Sequence, residues 1–174
     1  ACCPDDSEFS GIWQMASRVL SFDYLWNEVR VLGGAYGVGF SAARSGICQF
    51  YSYRDPHIDE TIDRFKGACE WLASFDPTDD ELDGYVVSTV AGMDKPLKPR
   101  DVVRLQVAMH LTGDTVEERT RRRLQVMQCT KEDVVSKGES IARLFDHPYV
   151  CVIGDENIIS AAQSDRNVVD LLAL

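Results

Sequence analysis

The chain has 174 residues, 45% apolar and 26% charged, with 12 Gly and 6 Pro, which is the profile of one ordinary folded domain and excludes a fibrous or disordered segment. Its 28 acidic residues outnumber 18 basic ones for a net charge of −10, so its field repels phosphate backbones and anionic headgroups and argues against nucleic acid and membrane partners. No run reaches the ~18 apolar residues of a membrane span, and the acidic start Pro4-Asp5-Asp6-Ser7-Glu8 lacks the basic region of a signal peptide.

From Ile12 to Val31, the apolar residues Ile12, Ala16, Val19, Leu20, Phe22, Leu25, Trp26 and Val29 recur at helical spacing around a wide face, which predicts a mostly buried helix. Gly33-Gly34 should end it, because glycine takes the left-handed conformation that closes a helix C-terminus. Tyr36, Val38, Phe40 and Ala42 then alternate with Gly37, Gly39 and Ser41, Arg44-Ser45-Gly46 makes a turn, and Ile47 to Tyr53 returns. Residues 35–54 therefore read as a β-hairpin.

Asp55-Pro56 is read as the N-cap and first residue of an amphipathic helix of about five turns, along which Ile58, Ile62, Phe65, Cys69 and Leu72 recur. Thr78 with Glu81, and Thr115 with Glu118, have the spacing of a capping box and should each open a helix. The prolines of Lys95-Pro96-Leu97-Lys98-Pro99 mark a connection between helices. Helices are predicted at Asp101 to Leu111, Val116 to Met127 and Lys131 to Phe145, the last opened by Thr130 with Asp133. Tyr149-Val150-Cys151-Val152-Ile153, between Pro148 and Gly154, reads as a short buried strand, before a helical tail.

This order predicts an α+β fold in which a small antiparallel sheet is covered by several helices. No internal repeat or long linker divides the chain, so residues 10–174 are taken as one domain behind an acidic segment, residues 1–9. Two or three strands make a narrow sheet for so much helix, and strands missing before the first helix would explain that narrowness.

Little complete chemistry is written in the sequence. Six cysteines, Cys2, Cys3, Cys48, Cys69, Cys129 and Cys151, include no C-x-x-C pair and lie mostly among apolar neighbours, which favours buried thiols in a reducing compartment. His57-Ile58-Asp59-Glu60-Thr61 starts like a zinc-binding helix but lacks the second histidine, so His57 is read as exposed and no metal site is assigned. Cys151 lies four residues from His147, but Pro148 interrupts any helix between them and a structural cysteine is the expectation. The glycines from Gly33 to Gly39 follow a helix and precede a strand, the reverse of a phosphate-binding loop. The arginines Arg119, Arg121, Arg122 and Arg123 follow Glu117 and Glu118 and read as a solvated helix face.

Arg30 at the end of the first helix and Tyr36 at the head of the strand bracket a glycine turn. An extended peptide lying along that strand would meet a guanidinium and a phenol able to donate to its carbonyl oxygens; Arg30 paired with Glu28, or Tyr36 facing the core, is the alternative.

Tyr24-Leu25-Trp26-Asn27-Glu28-Val29-Arg30-Val31 followed by Gly33-Gly34-Ala35-Tyr36-Gly37 closely resembles the last homologous domain of the presequence-protease group of pitrilysin-type (insulinase-like) zinc metallopeptidases. The resemblance extends through Ser52-Tyr53-Arg54-Asp55-Pro56, the Thr61 to Phe75 helix, Lys95-Pro96, Thr130-Lys131-Glu132-Asp133 and Tyr149 to Gly154, over roughly residues 10 to 163. It implies a pitrilysin-type half-domain truncated at its N-terminus, belonging to a longer enzyme that degrades peptides inside a closed chamber. The family's substrate-binding arginine and tyrosine fall on Arg30 and Tyr36, beside Gly33 and Gly34: the arginine for the peptide backbone, the tyrosine for the tetrahedral oxyanion. Zinc and the general base belong to an H-x-x-E-H helix in the family's first domain. This chain is therefore expected to bind no cofactor itself and to be inactive alone, with zinc in the full-length protein. The implied partners are N-terminal domains of the same protein and peptide substrates, and truncation favours self-association. The implied setting is intracellular and soluble, a bacterial cytoplasm or an organelle matrix. The alternative is a non-catalytic pitrilysin-like partner or peptide-binding subunit.

Overall fold

The computed structural model describes residues 9–162, and they form an α+β fold. The first helix, α1 (Gly11–Val19), buries Trp13, Met15, Ala16 and Val19. Beyond Val19 it continues in π-helical turns, Leu20–Tyr24 and Trp26–Leu32. The wider turns advance by less than the ~100° per residue of an α-helix, so residues four apart stay nearly in line. Leu20, Leu25 and Val29 are fully buried, whereas Phe22 and Trp26, expected inside, are 56% and 39% exposed.

The hairpin forms as the alternation predicts. Strands β1 (Gly37–Ala42) and β2 (Cys48–Tyr53) pair antiparallel, with Phe40 opposite Phe50. The Phe40 and Phe50 rings lie 4.6 Å apart, and Phe50 stacks on Phe65 at 5.1 Å and meets Phe145 at 5.6 Å. Those contacts fasten the sheet to α2 (Asp59–Ala73) and to a 3-10 turn, Arg143–Phe145. α2 starts later than Asp55-Pro56 suggested and runs about four turns. Asp55 instead accepts from the His57 N–H at 3.0 Å and the Thr61 hydroxyl at 2.8 Å, an Asx-type turn that competes with helix until Ile58.

α3 (Asp79–Met93) opens with the complete Thr78–Glu81 capping box. After Lys95–Pro99 come α4 (Pro99–Thr112) and α5 (Val116–Met127). Thr115 caps α5 by accepting from the Glu118 N–H at 3.2 Å, while the Glu118 carboxylate takes Arg121 at 2.6 Å. The helix expected from Lys131 to Phe145 is broken into α6 (Lys131–Val135), α7 (Lys137–Ala142) and the 3-10 turn, around Ser136 and Gly138, which are weak helix formers. Its Thr130–Asp133 capping box is present.

The first helix is the central element, packed against β1, α3, α5 and α6. One core joins Trp13, Val19, Leu20, Leu25 and Val29 to Phe40, Leu72, Val126, Val134 and Ile141, each large side chain contributing roughly 1.5–3 kcal/mol.

Three expectations need correction. Tyr149–Ile153 has no regular structure, and Tyr149 and Ile153 are 89% and 82% exposed; no described strand lies beside it to complete a ladder, because the described sheet has only β1 and β2. Cys151 is accordingly exposed rather than buried. A short helix, α8 (Glu156–Ala161), follows with Asp155 as its N-cap. Nor is the arginine run simply solvated: Arg122 is only 5% exposed and bonds Asp114 at 2.5 Å, which Arg119 and Arg44 also approach, at 3.6 and 3.8 Å. Burial pushes the Asp114 carboxyl up, but the Arg122, Arg44 and Arg119 guanidinia outweigh it and hold the group below the usual carboxylate range. Cys2, Cys3 and the rest of the acidic start lie outside the described residues.

Candidate functional site

The chain reverses sharply where the first helix ends. Gly34 takes φ 81, a left-handed conformation that glycine adopts without strain. A Cβ on Gly33 would lie 2.2 Å from Arg64 Nη1 and 2.5 Å from the Val29 carbonyl oxygen, so no side chain fits there. Gly34 N–H then donates to the Arg30 carbonyl at 3.0 Å and Ala35 N–H to the Val29 carbonyl at 3.2 Å.

This turn brings Arg30 and Tyr36 together. Arg30 Nε donates to the Tyr36 carbonyl at 3.1 Å, and its guanidinium lies 3.8 Å from the Trp26 ring centre. Arg30 has no carboxylate within ion-pair distance among the described residues, so the Glu28 pairing is not formed. The Tyr36 ring is 66% exposed rather than turned to the core. Its backbone N–H is shared between the carbonyls of Tyr53 and Arg54 at 3.1 and 3.3 Å. The Tyr53 ring meets Tyr36 edge-on at 6.1 Å, and the Arg54 guanidinium lies 5.7 Å from Tyr36 and 5.4 Å from Tyr53. Arg54 holds φ 49, uncommon for a residue with a side chain and a form of strain often found at functional sites.

Arg30 and Tyr36 stand at the mouth of an open groove of ≈ 650 Å³ between the first helix, β1 and the end of α3. The outer edge of β1 runs along it. Ala43 N–H donates to Ile47 across the hairpin, so the odd-numbered residues of β1 face β2, and Val38, Phe40 and Ala42 present their backbone groups outward. Ser21 occupies the middle of that edge: its hydroxyl accepts from Phe40 N–H at 2.9 Å and donates to the Phe40 carbonyl at 3.2 Å. Gln14 Oε1 and Ser17 Oγ, also in the groove wall, are buried without a hydrogen-bond partner among the described residues. The arrangement offers an extended chain a strand edge, a fixed guanidinium and an exposed phenol.

The sequence singles out Arg30, Tyr36, Gly33 and Gly34, which the structure brings together at one turn, but not Trp26 as the plate beneath Arg30 or Arg54 as a second cation beside Tyr36. The signal for Trp26 was its spacing of four from Arg30, which it was assigned to the core instead. Arg54 carried no local signal, because only the hairpin pairing brings it to Tyr36.

Other candidate chemistries find no support in the geometry. Among the described residues no group of three or more His, Cys, Asp or Glu is placed to share a metal ion. His57 precedes α2 and pairs with Glu60 at 3.0 Å. Burial pushes the Cys69 thiol up to about 11 and the Cys129 thiol to about 12, which leaves both unreactive at neutral pH. No described contact joins Cys151 to His147. No described helix is long and apolar enough to cross a membrane.

Residues 7–153 match the family described as the PreP C-terminal domain. The chain is 32% identical over 152 residues to protein HypA of Clostridium perfringens, covering 87% of this chain and 16% of that protein. It is 30% identical over 162 residues to presequence protease 1, chloroplastic/mitochondrial, of Arabidopsis thaliana, covering 92% and 15%. To the mitochondrial presequence protease of Gibberella zeae it is 34% identical over 122 residues, covering 70% and 12%. The chain thus spans about a sixth or less of the length of these relatives. The match takes in everything from α1 to Ile153, including the Arg30–Tyr36 turn and Arg54, and stops before α8.

Proposed function

Since the chain belongs to the family of presequence-protease C-terminal domains, we propose that it is the peptide-binding domain of a zinc metallopeptidase that degrades peptides in a closed chamber. In this reading Arg30 holds the backbone of an extended peptide, Tyr36 donates its phenolic O–H to the oxyanion of the tetrahedral intermediate, and Gly33-Gly34 set the turn that joins them. The supporting observation is the Arg30 Nε bond to the Tyr36 carbonyl, which ties the guanidinium to the head of an open strand edge. Such donors act best when held in place before charge develops.

The described residues do not fit a zinc ion: their histidines are dispersed, and no donor cluster forms among them. Zinc and the general base therefore belong, in this proposal, to preceding domains of the same polypeptide. Those domains are the proposed partners, along with peptide substrates, in an organelle matrix or a bacterial cytoplasm. Val103, Val107 and Leu111 on α4, and Tyr149 and Ile153 beyond it, are exposed and give such domains apolar surface to cover.

The test is Arg30→Gln in the full-length protein. KM for peptides should rise about tenfold or more with metal content unchanged by elemental analysis. An unchanged KM would overturn the role of Arg30. A full-length protein without zinc or turnover that still binds peptide through Arg30 would instead be a non-catalytic partner subunit.

A further inference from the structure

Of the twelve described arginines, eight lie within 4.0 Å of a carboxylate: Arg44, Arg100, Arg104, Arg119, Arg121, Arg122, Arg123 and Arg143. The other four are Arg18, Arg30, Arg54 and Arg64. All four lie along the groove or beside the glycine turn and Tyr36. Arg18 and Arg30 line the groove, Arg54 flanks Tyr36, and Arg64 Nη1 is buried against Gly33 without an acceptor. Lys95, which has no carboxylate partner among the described residues, lines the groove too. Among the described residues the wall holds three basic residues and no Asp or Glu, in a chain where acidic residues outnumber basic ones 28 to 18. A groove whose described wall is basic, in an acidic protein, is complementary to an anion.

The two groove arginines are set in a regular pattern. Arg18, Phe22, Trp26 and Arg30 recur every four residues, and the π-helical turns from Leu20 onward keep them nearly in line. Arg18 lies 4.6 Å from the Phe22 ring centre and Arg30 3.8 Å from that of Trp26, so each guanidinium rests on an aromatic face, an arrangement that favours a desolvated cation. Arg18 Nη2 donates to the Ser88 carbonyl at 2.9 Å, which fixes its position at the end of the groove formed by α3 and leaves its other donors without an acceptor among the described residues. Twelve residues of helix span at most about 18 Å, the length of five or six residues of extended chain.

We propose that Arg18 and Lys95 form a second subsite, for a carboxylate carried by the same extended peptide five or six residues from the part held at Arg30 and Tyr36. The inference rests on the peptide-binding reading of Arg30 and Tyr36. The exposed rings of Phe22 and Trp26 between the two subsites contact the intervening side chains. The groove thereby selects peptides by a charge placed at a distance from the reacting bond, and that charge is either an Asp or Glu side chain or the C-terminal carboxylate.

The test is direct binding to the full-length protein, read by fluorescence anisotropy with a chelator present to suppress cleavage. Amidated decapeptides with one Glu scanned along the chain, and a decapeptide with a free C-terminus and no acidic residue, are compared with an amidated Gln-containing decapeptide. At least one carboxylate peptide should bind about fivefold or more tighter than the neutral one, with the advantage shrinking in high salt. Arg18→Gln with Lys95→Gln should abolish that advantage and leave the neutral peptide's affinity unchanged, and the exposed Lys95→Gln alone should reduce it without affecting folding. A Glu-scan maximum identifies a side-chain source, and a preference for the free C-terminus identifies the terminal carboxylate. Equal binding of all the peptides, or an advantage that survives the double substitution, would overturn the proposal. Arg30→Gln should weaken every peptide alike; if it changes nothing, the peptide-binding reading of Arg30 fails and the spacing proposed from it is overturned as well, whereas equal binding of all the peptides with Arg30→Gln still weakening them overturns only the carboxylate subsite.

Discussion

Asp114 gathers Arg122, Arg119 and Arg44 from α5 and the hairpin turn, and Arg122 depends on it most because it is buried. Asp114→Ala leaves that guanidinium uncompensated, at a cost of about 3 kcal/mol, and should lower the Tm of this chain by about 6–12 °C; a shift under about 2 °C would contradict the assignment. The three guanidinia hold the carboxyl low in the folded state despite burial. Its stabilisation is therefore fully present above the unfolded pKa near 4 and lost as pH falls through the lower folded value, so Asp114→Asn should flatten the stability decline below about pH 4. For thiols raised to about 11 and 12 by burial, stability falls as pH climbs from about 9 toward those values. At pH 8, Cys151 should be alkylated in the native state, while Cys69 and Cys129 react only after unfolding; equal reaction of all three would show that Cys69 and Cys129 are not sequestered. The caps at Thr78 and Thr130 were legible in the sequence because a capping box closes within four residues. The Asp114 cluster was not, because it joins Arg44 to residues some seventy positions away, and a run of charges reads as solvated until packing covers it.

At the scale of elements, the first helix and the hairpin could be read from period alone, but the π-helical winding could not. Residues spaced by four suit either helix, and the two differ in backbone hydrogen bonding, i→i+5 in Leu20–Tyr24 and Trp26–Leu32, which leaves no mark on the side-chain pattern. Ser21 shows how the helix and strand are joined: its one hydroxyl serves both the N–H and the carbonyl of Phe40. Ser21→Ala leaves both groups short of a partner, which should cost roughly 1–3 kcal/mol and speed hydrogen exchange at the Phe40 amide; unchanged exchange there would mean that water or another group already serves that edge. The Tyr149–Ile153 run misled because an apolar, β-branched segment signals a strand only if a neighbouring strand exists, and neighbours are a property of the fold. α2 began late because the Asp55 side chain engaged His57 and Thr61 instead of opening the helix, a competition that the Asp-Pro pattern leaves open.

Across the molecule, the acidic surface and the basic groove divide the labour of the charge. Net charge alone argues against anionic partners, but it is an average; the arginines around the glycine turn, which have no carboxylate partner among the described residues, show that an average hides a local field. The Arg30–Tyr36 pair was legible from spacing and resemblance, while Arg18 and Lys95 required the groove itself and Arg54 the hairpin pairing that sets it beside Tyr36. Val103, Val107 and Leu111 leave α4 with exposed apolar surface, and self-association of this chain is the expectation that follows: Val103→Lys with Leu111→Lys should shift it toward monomer in sedimentation velocity, and a wild-type chain that is already monomeric, or no shift, would contradict it. The most direct measurement of the central claim is the steady-state kinetics of Tyr36→Phe in the full-length protein. The account predicts that kcat falls by about 10²–10³ while KM stays within about twofold, and a kcat equal to that of the unsubstituted protein would contradict it.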